Sequence, residues 1–133
     1  MEIRRHNVDE RGIRAPAAYE IAERSAPAGV VVLELAGELD VAAASVLRER
    51  FEAALARGSR GVVADMSQVT FADSSALREL LRADAGARAA GKRFVPAALP
   101  AVIERLLDLT RARELLDVAP SVEEALRLLD GRR

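Results

Sequence analysis

The sequence predicts a single α/β domain: a mixed β-sheet of about four to five strands covered by about four helices. Three observations carry that prediction. Runs of β-branched residues alternate with apolar residues at helical spacing, as in layered α/β domains. The 133 residues, 50% of them hydrophobic, suffice for one core and hardly for two. Aromatic residues make up only 3% and tryptophan is absent, so that core has to be aliphatic.

In chain order, residues 1–16 ("MEIRRHNVDERGIRAP") read as a loose charged extension and 17–133 as the domain. "YEIAE" (Tyr19 to Glu23) alternates apolar and polar positions and is read as a strand beside the buried one that follows. "GVVVLEL" (Gly29 to Leu35) is that buried strand, with Gly37 as its stop. From Val41 to Arg57 the period becomes helical: Val46, Leu47, Phe51, Ala54 and Leu55 share a face, and Gly58 stands where a helix ends. "GVVADM" (Gly61 to Met66) repeats the strand, and Leu77, Leu80 and Leu81 open a helix expected to reach Ala90 before Gly91. "KRFVP" is a third apolar strand whose Pro96 suits an edge or a strand end. Pro100 starts a helix carrying Val102, Ile103, Leu106 and Leu107. "LLDV" (Leu115 to Val118) is expected to form a further short strand. Ser121 and Glu124 have capping-box spacing ahead of Ala125, Leu126 and Leu129, with Gly131 behind a terminal helix.

Composition removes several classes of function. The formal net charge is -1 and the arginines are interleaved with acids, which argues against nucleic acid as a partner. Without cysteine there is no disulfide, thiolate metal site or thiol nucleophile. No apolar stretch reaches the ~20 residues of a membrane span, and the N-terminus lacks a signal-peptide core. The expectation is a soluble, cytoplasmic protein without membrane insertion.

The candidate chemistry is sparse. His6 is the single histidine, so a Ser-His-Asp triad would need the N-terminal extension to fold over the domain. Glu38 and Asp40 in "GELD" are two carboxylates at a strand end, more often solvated than metal-bound. "GARAAGKR" (Gly86 to Arg93) mimics a phosphate loop but has Arg93 where Ser or Thr should hold magnesium. It also leaves a helix instead of entering one. No cofactor is expected, and no enzymatic activity.

That leaves Asp73, Ser74 and Ser75 at a strand-to-helix junction. An N-cap explains one of them, since an Asp or Ser there accepts amide hydrogen bonds worth ~1 kcal/mol. A serine at an exposed helix start also tolerates a phosphate, because the helix dipole and unpaired amides favour negative charge. A phosphate there adds about two charges beside Asp73 and would weaken docking without unfolding the domain.

Three segments carry a family resemblance: "VVVLELAGELDVAAASVLRERFEAAL", "GVVADMSQVTFADSSALRELL" and "PAVIERLLDLT". Together, over about residues 19 to 130, they resemble the STAS domain family, specifically bacterial anti-sigma factor antagonists. The resemblance implies a regulatory protein that binds an anti-sigma factor of the GHKL serine-kinase type when unphosphorylated, thereby releasing sigma factor. It implies phosphorylation at Ser74 as the inactivating step and reversal by a PPM-type phosphatase. Asp73, Ser75, Ala76, Glu38 and Asp40 are the expected docking neighbours, and the protein is expected to be a monomer or weak homodimer. Similar stand-alone STAS proteins also serve as scaffolds or accessory subunits, in stressosome-like assemblies or ABC lipid-transport complexes. The chain departs from the family pattern at Ala76 and at Arg111, both positions where glycine is common. Ala76 favours the helix by ~1 kcal/mol over Gly and adds a methyl where a kinase backbone would approach.

Overall fold

A computed structural model describes residues 18–130. The proposed N-terminal extension and Gly131 lie outside the described residues. Four strands form one mixed sheet in the order β1 (Tyr19–Ala26), β2 (Val30–Leu39), β3 (Gly61–Ala72) and β4 (Arg93–Ala97). The β1–β2 pair is antiparallel; the β2–β3 and β3–β4 pairs are parallel. The crossovers are α1 (Ala44–Arg57) and α2 (Ser74–Ala89), followed by α3 (Ala101–Thr110) and α4 (Val122–Asp130).

Strand alternation divides the apolar residues between two layers. Val31, Leu33 and Leu35 on β2, with Val62, Ala64 and Met66 on β3, belong to the large core beneath α1, α2 and α3. Phe51 and Phe94 meet edge to face inside it, ring centroids 4.9 Å apart. The opposite face contributes Val30, Val32, Val63 and Val95 to a smaller core completed by Ala125 and Leu129 of α4. Ser121 Oγ accepts the Glu124 amide hydrogen at 3.1 Å, which is the hydroxyl half of the expected capping box.

Several boundaries differ from the sequence reading. The β2 strand passes through Gly37 and ends at Leu39, because Gly37 takes φ 87° within an irregular stretch of the β2–β3 ladder. A Cβ there would lie 2.3 Å from the Ala18 carbonyl oxygen. The β3 strand runs six residues beyond Met66, through "SQVTFA". "LLDV" is not a strand: a 3-10 turn covers Ala112–Leu115, and the only pairing nearby is an isolated bridge between Ala97 and Ala119. Leu116 there is apolar because it is buried in the large core. Pro96 does lie on an edge strand, β4, as its missing N–H requires.

Candidate functional site

The parallel pairing of β2 with β3 sets Glu38 opposite Phe71 and Leu39 opposite Ala72. Both strands therefore end together at the carboxyl edge of the sheet, where open α/β domains place their sites. Beyond β2, the Asp40 carboxylate accepts the Ala42 N–H at 2.9 Å and its carbonyl accepts the Ala43 N–H at 3.0 Å. This short turn feeds α1. Beyond β3, Asp73 Oδ1 accepts the Ser75 N–H at 2.9 Å, and the Asp73 N–H donates to Leu39 O at 3.3 Å. Asp73 is thus the N-cap of α2 and stitches that helix start to the end of β2.

With Asp73 occupied as the cap, Ser74 is the first helical residue and is exposed, whereas Ser75 is half-buried. The Ser74 hydroxyl makes no hydrogen bond among the described residues. Glu38 is exposed and Asp40 half-buried. Ala76 differs from these five: at 1% exposure its methyl lies in the core, so its side chain offers nothing to a partner. Two apolar side chains stand outside the core here. Val41 is 73% exposed and Phe71 is 47% exposed, on the segments that carry Asp40 and Asp73.

One turn further along α2, Glu79 is only 2% exposed and receives both Arg48 Nε at 3.2 Å and Nη2 at 2.9 Å. Arg82 Nε lies 3.4 Å away. The Arg48 hydrogen bond holds the Glu79 carboxyl below its ordinary range; burial opposes this, and the charges of Arg48, Arg82 and Arg78 reinforce it. The same bond raises Arg48. This fork joins α1 to α2 behind the serine.

An exposed hydroxyl with no base beside it can receive a group but has nothing to activate it as a nucleophile. His6 lies outside the described residues, and Asp73 Oδ1 is engaged by the Ser75 amide. Among the described residues no group of three or more His, Cys, Asp or Glu side chains could hold a metal ion. No helix there is long and apolar enough to cross a membrane. The "GARAAGKR" segment lies at the end of α2, with Gly91 at φ 72° just past it.

The fold is thus a mixed-sheet α/β domain that presents an acidic, partly apolar edge around the exposed Ser74. The family model described as "Mlab, STAS domain" matches residues 22–117, and the chain belongs to the STAS domain family. Among solved structures, an anti-sigma factor antagonist from Mycobacterium paratuberculosis is 23% identical, with TM-score 0.73 over 87% of this chain and 97% of that one. SpoIIAA, an anti-sigma factor antagonist, is 20% identical in its unphosphorylated form, with TM-score 0.61 over 84% and 98% of the two chains. A sulfate transporter family protein from Wolinella succinogenes is 16% identical, with TM-score 0.66 over 80% and 89%. At these identities the likeness is one of fold.

Proposed function

We propose that this chain is an anti-sigma factor antagonist, a cytoplasmic regulator switched by phosphorylation of Ser74. Unphosphorylated, it docks its sheet edge on an anti-sigma factor of the GHKL serine-kinase type and frees sigma factor. The kinase then transfers the γ-phosphoryl group of ATP to Ser74 Oγ, and the complex dissociates until a PPM-type phosphatase removes the phosphate. ATP and magnesium belong to the kinase, so the chain needs no cofactor of its own.

The observation that supports this best is the division of labour at the start of α2. Asp73 caps the helix, which leaves the Ser74 hydroxyl exposed and, among the described residues, unbonded. Glu38, Asp40 and Ser75 lie beside it as polar docking neighbours, and Val41 and Phe71 supply the apolar contact that a docking surface needs. Ala76 acts from below, through helix propensity and packing. A phosphate on Ser74 places about two charges among these acids, so docking weakens by repulsion and desolvation.

Incubation with the cognate kinase and ATP, followed by mass spectrometry, is expected to find phosphate on Ser74. Phosphate on Ser75, or on neither serine, would sink the assignment. In pull-downs Ser74→Ala is expected to retain the anti-sigma factor and Ser74→Asp to lose it.

The "Mlab, STAS domain" description of the family favours a second reading, an accessory subunit of an ABC lipid-transport complex. Stable co-purification with a transporter, unchanged by Ser74→Asp, would favour it over the first.

A further inference from the structure

Three arginines project from α2 beyond the serine, Arg78, Arg82 and, in the last turn, Arg88, and they are not equivalent. Arg82 is taken by Glu79, and Arg88 by Asp84 and Asp117; Arg48, facing them from α1, is taken by Glu79. Arg78 is exposed and makes no hydrogen bond or ion pair among the described residues; it acts on Glu79 only through its charge. It is four residues beyond Ser74 on the same helix, and Ser74 is also exposed and unbonded. Residues so spaced are helical neighbours with Cβ atoms about 6 Å apart, and an acid placed N-terminal to a base gives the stronger pair.

We infer that Arg78 is the resident partner of the Ser74 phosphate: once Ser74 is phosphorylated, the Arg78 guanidinium swings over the first turn of α2 and pairs with the phosphate oxygens in cis. The inference rests on the phosphorylation proposed above and specifies what the phosphate meets on this surface. A planar guanidinium offers a phosphate two parallel N–H donors, a geometry that fixes direction as well as charge. Among the described residues nothing has to be broken to free it, because none of their carboxylates lies within ion-pair distance of Arg78.

The groups around the phosphate oppose one another. Asp73 on the same turn, with Glu38 and Asp40 from the end of β2, disfavours the dianion; Arg78 favours it, while Arg48 and Arg82 are spent on Glu79. The second ionisation of a phosphoserine lies near ~6; the acidic edge pushes it up, while the free amides at the start of α2 and Arg78 draw it down. With Arg78 the phosphate is fixed over the docking edge and its doubly charged form is favoured further. The latch therefore orients the phosphate and adds to its charged form rather than creating the site.

Phosphoserine introduced genetically at position 74 of the full chain tests this without any kinase, and a 31P NMR titration reads the phosphate directly. Arg78→Gln is expected to raise its second pKa by a few tenths of a unit at low salt, with Arg78→Lys intermediate and the difference shrinking in high salt. Superimposable titrations of the parent and Arg78→Gln proteins would overturn the pairing. As an independent check, phosphorylation is expected to raise Tm more in the parent than in Arg78→Gln; an equal change in both would also overturn it. Neither outcome bears on whether a kinase modifies Ser74, which the mass-spectrometric experiment decides separately.

Discussion

At the scale of single residues, the backbone holds Asp73 and Arg111 to different standards. Asp73 is an N-cap with its carboxylate on the Ser75 amide, so Asp73→Ala is expected to destabilise the domain by about 1 kcal/mol. Ser74→Ala is expected to leave stability nearly unchanged, because the Ser74 side chain makes no hydrogen bond among the described residues. Urea unfolding of the two variants checks this contrast, and equal losses would mean the cap is shared. Arg111 follows α3 in the left-handed region at φ 59°, where a side chain strains the backbone and glycine does not. Arg111→Gly is accordingly expected to raise stability by about 1 kcal/mol, roughly 4 °C in Tm. Arg111→Ala, which keeps a Cβ, serves as its control and should gain little. The departure from the family pattern at this position thus keeps the turn and strains it.

Between elements, the decisive contact is the fork from Arg48 on α1 to the buried Glu79 on α2. Glu79 titrates below the ordinary carboxylate value, 4.5, in the folded protein. Its stabilising effect is therefore complete above the unfolded pKa and is lost as pH falls through the lower folded value. Arg48→Ala leaves Glu79 with Arg82 and the charge of Arg78, so its folded pKa rises and this part of the acid dependence flattens. Urea midpoints between pH 3 and 7 should show stability falling less steeply with acid in Arg48→Ala than in the parent, from a lower neutral-pH value; parallel curves would refute the coupling. This contact was not legible in the sequence, since a glutamate on a helix reads as solvated until a second helix is seen to cover it. Element types were legible wherever apolar period and end signals agreed, as in α1, α2 and α4. They failed where apolar residues serve the core without a ladder: "LLDV" gives Leu116 to the interior from a non-strand segment. Gly58 ends α1 as expected but in extended backbone, φ -78°. At the site, the motif pointed to Asp73 and Ser74. The exposure of Val41 and Phe71 was hidden, because both sit in apolar surroundings in sequence and only the sheet edge turns them outward.

Across the whole molecule, the two faces of the sheet are unequally covered, and this sets the order in which the domain opens. Three helices bury the large core on one face, while α4 alone closes the other with Ala125 and Leu129 against Val30, Val32, Val63 and Val95. At nine residues α4 is too short to be stable in isolation, so it persists through docking. Beyond its apolar stripe, the sheet holds its last turn: Arg93 donates to the Leu128 carbonyl at 2.8 Å and to Asp117 at 2.8 Å, and Arg60 donates to Leu129 O at 3.3 Å. These guanidiniums occupy the carbonyls that a helix C-terminus leaves unpaired. A helix with so small an apolar face and a polar clasp should detach as a unit at a free energy below that of global unfolding, whereas β3 and α2, packed inside the large core, should open only globally. Native-state hydrogen exchange in low denaturant is expected to show the α4 amides exchanging through a smaller opening than those of Val62 to Ala64. Arg93→Met, which keeps the stem and removes both bonds, should lower the α4 opening energy while leaving the global value less affected. Exchange of α4 only through global unfolding would show instead that the two layers form one cooperative unit. Since α4 covers the sheet face opposite α1 and α2, its detachment leaves the Asp73 cap and the Ser74 edge standing, so partner binding at that edge should survive conditions that already free the terminal helix.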